Sequence, residues 1–336
     1  MNIGIVGCGL VGQKRARSFG EGHRVVAVAD QAVERAERLA AAHAGCVVMP
    51  DAEALIARRD IDLVAVAVTN NVLAPLTRAA VEAGKHVIVE KPAARRAAEL
   101  EPLAEIARAR GVVVKVGFNH RFHPAFLKAR AIWESGACGP LMFIRARYGH
   151  GGRLGMEREW RGDPTLSGGG EMLDQGVHLI DLSRWFAGEF VEIQGRVERY
   201  FWNWPVEDNG FALLRTAGGS VAWLQASCTE WKNLFSFEIY GRDGKLQIDG
   251  LGGSYGVERL TFYQMRPEMG PPDTSTWEYP GEDTSWAAEF AHVVDCIRDG
   301  RPVVGGLEDA IAALRIVERL YQQSDLAALS KVTTTA

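Results

Sequence analysis

The chain has 336 residues, 47% of them hydrophobic, and a formal net charge of −4. That length accommodates two domains with separate cores, and the lack of a basic field argues against nucleic acid as a partner. Five scattered cysteines form no CxxC or Cys/His cluster, no apolar run is long enough to span a membrane, and the N-terminus leaves no room for a signal peptide; a cytoplasmic protein with reduced thiols, no metal and no membrane partner is expected.

The first predicted strand, Ile3–Val6, runs directly into Gly7-Cys8-Gly9-Leu10-Val11-Gly12 and then into a helix. In this arrangement the first glycine allows a tight turn and the second lets the backbone approach a pyrophosphate. The third lets the helix pack closely on the strand, while the helix N-terminus attracts phosphate charge. Asp30 closes the next strand, Val25–Ala29, where a carboxylate accepts the ribose hydroxyls of NAD and repels the 2′-phosphate of NADP. Strands Leu63–Val68, Val87–Val89 and Val112–Val116 alternate with helices Val33–Ala42, Val72–Ala83 and Ala97–Arg110. Such near-continuous β-branched runs between helices predict a doubly wound parallel Rossmann sheet that binds its ligand outside the carboxyl ends of the strands. The expected cofactor set is Gly7, Gly9, Leu10, Val11, Gly12, Asp30, Thr69, Asn70, Glu90 and Lys91, with NAD preferred over NADP.

Composition shifts near residue 120, since every tryptophan and tyrosine lies beyond it. We therefore divide the chain into a dinucleotide-binding domain, 1–120, and a substrate-binding and oligomerisation α+β domain, 121–336. In the second, Leu141–Tyr148, Val191–Tyr200, Asn209–Thr216, Ser220–Cys228, Leu234–Tyr240 and Lys245–Asp249 read as strands of a large, mainly antiparallel open sheet. Gly218-Gly219 and Asp243-Gly244 supply hairpin turns. A helix from Glu171 to Phe186 packs on this sheet, Met265–Ser285 reads as a long loop, and helices Ser285–Arg298 and Leu307–Gln322 follow.

Chemistry concentrates at two places. Glu90-Lys91-Pro92 ends a strand at the expected cofactor rim, where a lysine can hold a substrate hydroxyl. Gly168-Gly169-Gly170 leads into a helix that carries Asp174 and His178 one turn apart, with Asp181 near the same stripe. A carboxylate beside an imidazole orients it and raises its proton affinity, as a general base requires. Gly176 is costly inside a helix, so something must approach the backbone there, either the nicotinamide or the sheet. Asn119, Arg121, His123, Trp160, Arg161 and Gln175 are candidate substrate contacts, alongside Lys91, Asp174 and His178. Trp202, Trp204, Trp223 and Trp231 offer flat surfaces to a sugar ring or serve in packing. Arg145, Arg147, Arg153 and Arg158, with Arg161, suit a substrate phosphate or form a solvated surface.

Together these motifs resemble the glucose–fructose oxidoreductase and inositol 2-dehydrogenase family (Gfo/Idh/MocA) over nearly the whole chain. The carriers are the glycine fingerprint, Glu90-Lys91-Pro92, Gly117-Phe118-Asn119-His120-Arg121-Phe122-His123-Pro124, the Asp174…His178 helix and Asp299-Gly300-Arg301-Pro302. Asn70 and Ala74 stand where the family commonly has proline and histidine. The resemblance implies that Lys91 contacts cofactor and reacting substrate, that Asp174 and His178 bind and deprotonate the hydroxyl, and that subunits form dimers or tetramers through the open sheet face. It leaves open whether Lys91 or His178 accepts the proton. The expected activity is hydride transfer between NAD and a ring secondary alcohol of a sugar, sugar derivative or nucleotide sugar, at a carbon such as C3. Alternatives are an inositol dehydrogenase, a redox-neutral NAD-dependent glycosidase and a non-catalytic dinucleotide sensor.

Overall fold

The computed structural model describes residues 1–268 and 270–324, and these divide into two units: Met1–Asn119 with Trp286–Ala312, and His120–Ser285 with Ala313–Ser324. The last residues of the expected second domain, 325–336, lie outside the described residues, as does Met269 in the expected loop.

In the first unit β1 (Asn2–Val6), α1 (Leu10–Ser18), β2 (Arg24–Ala29), α2 (Val33–Ala41), β3 (Val47–Val48), α3 (Ala52–Ile56), β4 (Leu63–Val66), α4 (Asn70–Glu82), β5 (His86–Val89), α5 (Ala97–Arg110) and β6 (Val114–Val116) follow one another. The strands pair in parallel in the order β3-β2-β1-β4-β5-β6. β1, β4 and β5 are buried almost throughout, as strands covered on both faces must be. The strand order reverses between β1 and β4, which makes the ends of those two strands the switch point where a ligand binds. β3 and α3 escape the sequence reading because each is too short to show a period.

The second unit continues with α6 (Pro124–Glu134), β7 (Leu141–Gly149), α7 (Pro164–Ser167), a π turn (Met172–Gly176), α8 (Val177–Ala187), β8 (Phe190–Glu198), β9 (Asn209–Thr216), β10 (Val221–Ser227), β11 (Leu234–Gly241), β12 (Gly244–Asp249), β13 (Glu258–Gln264) and β14 (Asp273–Tyr279). Its eight strands lie in the order β14-β13-β12-β11-β7-β10-β9-β8, antiparallel except for the parallel pair β7–β10. Part of the expected loop Met265–Ser285 is instead β14. Most of its positions are exposed, so apolar alternation gives no signal there. Strand side chains alternate between a covered face, with Ile144, Ala146 and Tyr148, and an open face, with Phe143, Arg145 and Arg147.

α9 (Ser285–Asp299) and α10 (Leu307–Gln323) close the described chain. Phe290 and Val293 of α9 join Ile3, Ile5, Val28, Leu63 and Ile88 in one core. Contacts thus return 286–312 to the first unit, whereas composition alone assigns every residue after 120 to the second domain. No helix among the described residues is long and apolar enough to cross a membrane.

Candidate active site

In the first unit the glycine loop is built around close approaches. Gly7 has φ +93°, and a Cβ there would lie 2.1 Å from the carbonyl oxygen of Ala67, just past β4. A Cβ at Gly12 would lie 1.9 Å from the Gly7 carbonyl, so α1 seats against the turn only because both are glycine. Gly9, by contrast, faces open space. It stands at the N-cap of α1 without a side-chain cap, and the first turn, beginning at Leu10 and Val11, holds no acidic residue. The amides of that turn are therefore available to an anion, and a dinucleotide pyrophosphate fits them. Asp30 accepts the Cys8 amide at 2.6 Å on one oxygen and the Ala32 amide at 2.8 Å on the other. The fixed carboxylate keeps lone pairs for two ribose hydroxyls. NAD fits this loop and carboxylate.

Thr69 caps α4 through its backbone geometry and donates its hydroxyl to Asn71 at 2.7 Å, while Asn70 is buried at the first helical position. Glu90 and Lys91 follow β5, and the Lys91–Pro92 peptide is cis. Arg15 of α1 donates to Glu90 at 2.7 Å and also pairs with Glu289 of α9, which meets Lys115 of β6 at 2.7 Å. Glu90, expected to touch the cofactor, is thus tied within a buried four-charge network that anchors the strand end carrying Lys91. Burial opposes the charge on Glu289, but Arg15 and Lys115 outweigh it and hold the carboxyl below its ordinary range.

In the second unit the expected helix begins as a π turn. Asp174, Gln175 and Gly176 belong to that turn, and His178 to the first turn of α8. π turns concentrate at functional sites because they shift the side-chain register within a helix. The closest approach to Gly176 comes from its own turn: a Cβ there would lie 2.4 Å from Met172 Sδ, and the sheet follows at 3.3 Å with Ala226 of β10. Arg161 donates to Asp174 at 3.0 Å and lies over the ring of the half-buried Trp160. His178 is buried, its ring stacked on that of His120 at 3.9 Å between centroids and 25° between planes. Tyr148 packs edge-on to His178, and Tyr255 hydrogen-bonds Tyr148; burial pushes the Tyr255 hydroxyl up to about 12. His150 accepts the Gly152 amide on Nδ1, which leaves its Nε2 proton facing Glu171 at 3.4 Å.

Other candidates serve the framework. Arg121 donates both arms of its guanidinium to Asp181, at 2.7 and 2.6 Å, in a buried pair. His123 meets Glu258 of β13 at 2.8 Å, and the same carboxylate accepts the Ala125 amide at the start of α6. Trp202 and Trp204 are core residues with Met156, Val206 and Cys228, and the exposed Trp231 packs on Phe201. Arg145 and Arg147 lie on the open sheet face with Trp223, opposite the covered face that carries Tyr148, and Arg145 pairs with Glu238. Strand alternation thus favours the solvated-surface reading of this pair over the substrate-phosphate one. Arg153 is taken by Glu159 and Arg158 by Glu157. Tyr148, His150, Glu171 and Tyr255 went unnoticed in the sequence; only Glu171, one turn before Asp174, carried a signal.

Residues 1–118 match the family described as oxidoreductase family, NAD-binding Rossmann fold, and 126–247 match the GFO/IDH/MocA C-terminal domain. The chain is 29% identical over 339 residues to the dTDP-3,4-didehydro-2,6-dideoxy-alpha-D-glucose 3-reductase of Streptomyces violaceoruber, covering 99% of this chain and 97% of that one. It is 30% identical over 289 residues to inositol 2-dehydrogenase 2 of Saccharopolyspora erythraea, covering 84% of this chain and 76% of the relative. A levoglucosan dehydrogenase solved with NADH shares the fold, with a TM-score of 0.84 at 23% identity over 96% of this chain and 98% of that one.

Proposed function

Because the chain belongs to the Gfo/Idh/MocA family of oxidoreductases, we propose that it is an NAD-dependent dehydrogenase or ketoreductase for a ring carbon of a pyranose-type sugar or nucleotide sugar, such as C3. The observation that carries this reading is the buried His178 one turn beyond Asp174, on a helix that opens with a π turn. The names of the two relatives, a 3-reductase of a dTDP-sugar and a 2-dehydrogenase of inositol, both denote redox chemistry at a ring carbon.

The bound nicotinamide supplies the hydride acceptor or donor. The loop Gly7–Gly12 and α1 hold the pyrophosphate, Asp30 the ribose, and Thr69 and Asn70 border the same rim. His178 takes the hydroxyl proton during oxidation and returns it during reduction. Asp174, held by Arg161, orients the imidazole, and Lys91 donates a hydrogen bond to the reacting oxygen to stabilise its developing negative charge. Asn119, Gln175 and Trp160 serve the remaining hydroxyls and the ring face. Arg121 and His123 act through Asp181 and Glu258. We place the enzyme in the cytoplasm, where its five unpaired cysteines stay reduced, and seat a second copy on the open sheet face, where Phe143, Leu213 and Trp223 are exposed.

The test is incubation with NAD or NADP and a panel of sugars, nucleotide sugars and inositols, following NADH absorbance and product together. NADH formed with sugars or nucleotide sugars, and faster with NAD than with NADP, is the expected result. Formation with inositols alone moves the substrate to a cyclitol. Product without NADH indicates the redox-neutral glycosidase, and silence in both channels overturns the reading. With a substrate in hand, His120→Ala is expected to slow turnover by up to about tenfold, the worth of one aromatic pair, while His120→Phe retains most of the rate. Equal rates in the two variants would show that the ring at 120 does not hold His178.

A further inference from the structure

Glu207, between β8 and β9, is almost wholly buried, and its two oxygens accept three donors. These are the Gly170 amide at 2.9 Å, the Met172 amide at 3.1 Å and the Tyr321 hydroxyl of α10 at 2.7 Å. The glycines ahead of the π turn exist for this contact. A Cβ at Gly169 would lie 2.0 Å from the Tyr321 hydroxyl, and one at Gly170 would lie 2.0 Å from the Glu207 carbonyl oxygen. The carboxylate therefore grips the chain where it enters the helix that carries Asp174 and His178.

We propose that Glu207, backed by Tyr321, is a positioning pair that sets the π turn and thereby Asp174 and His178, and that it grips fully only as the carboxylate. A carboxylate offers both oxygens to all three donors, whereas a protonated acid turns one oxygen into a donor facing an N–H or O–H. Burial raises Glu207 to about 7, so the grip changes near neutral pH. Burial and the Glu207 charge keep Tyr321 protonated and able to donate. Among the described residues, Cys228, Glu171 and the adjacent Asp208 are titratable groups near Glu207, and the Asp208 carboxylate is occupied by the amides of Tyr200, Phe201 and Trp202.

The proposal rests on the dehydrogenase reading for its catalytic consequence, but its first readout does not. Hydrogen exchange of residues 168–174, corrected for intrinsic rates, is measured at pH 6 and pH 8 in the wild type, Glu207→Gln and Tyr321→Phe. Protection about tenfold higher at pH 8 is expected in the wild type, with no pH dependence in Glu207→Gln and an intermediate level in Tyr321→Phe. Equal wild-type protection at the two pH values overturns the proposal, whether or not any sugar is turned over. With a substrate, both variants should lower kcat about tenfold at unchanged KM for NAD. A fall in NAD binding instead, with kcat kept, overturns the positioning role. If Glu207→Gln fails to fold, the wild-type pH pair and Tyr321→Phe still decide.

Discussion

His178→Asn is expected to lower turnover by about 10²- to 10⁴-fold, the usual contribution of a positioned acid–base group. Asparagine retains a similar size and a hydrogen-bonding end but cannot take a proton at any working pH. The imidazole is buried and stacked on His120, and its near-isosteric replacement leaves that packing largely in place. NAD affinity and melting temperature should therefore stay close to wild type, because the glycine loop and Asp30 lie in the other unit. The measurement is steady-state kinetics on the substrate found by the panel, with NAD binding followed by fluorescence. Activity within tenfold of wild type would move the proton acceptor to Lys91, and Lys91→Ala would then carry the large loss.

Glu289→Ala is expected to destabilise the protein by about 3–5 kcal/mol, the cost of removing one partner from a buried ion pair. Glu289 is fully buried between Arg15 and Lys115, and Arg15 also serves Glu90. Without it, Lys115 loses this carboxylate while keeping the carbonyls of Val116 and Gly305, and Arg15 keeps Glu90. Against a typical stability of about 5–15 kcal/mol that loss is large. Glu289→Gln should fall between the two, and a Glu289→Met/Lys115→Met pair should regain much of the difference. The carboxyl lies below its ordinary range in the folded chain, so its contribution is full above the unfolded value and fades as pH falls toward the folded one. Urea unfolding at neutral pH and near pH 4 measures both effects. A Glu289→Ala variant within 1 kcal/mol of wild type would show that the network is dispensable.

The dinucleotide half was legible because its signals are local: a strand, three glycines and an acid within a few tens of residues. Strands buried on both faces spell themselves in Val, Ile and Leu, and β1, β2, β4 and β5 do so. Two hairpins of the large sheet, β9–β10 and β11–β12, are visible from their turn residues, but β13 and the exposed β14 are not. The four-residue spacing of Asp174 and His178 is visible in the sequence, while the π turn beneath it is not, since a single such turn has no apolar period of its own. Arg121 with Asp181, His120 with His178, and Arg15 with Glu289 are pairs that only tertiary folding brings together. Arg121, His123 and Arg161 offer hydrogen-bonding chemistry in the sequence, and the fold engages each of them with a carboxylate.

The return of α9 to the first unit has a consequence for how the protein is made. A nascent chain that has just released Asn119 from the ribosome contains every glycine of the nucleotide loop, and it holds Arg15 and Lys115 with Glu90 but not yet Glu289. The apolar surface that Phe290 and Val293 will cover is still open to water. The dinucleotide half therefore stays incomplete until α9 is made although most of it is synthesised first, and a product truncated anywhere before α9 lacks a completed core around its nucleotide loop.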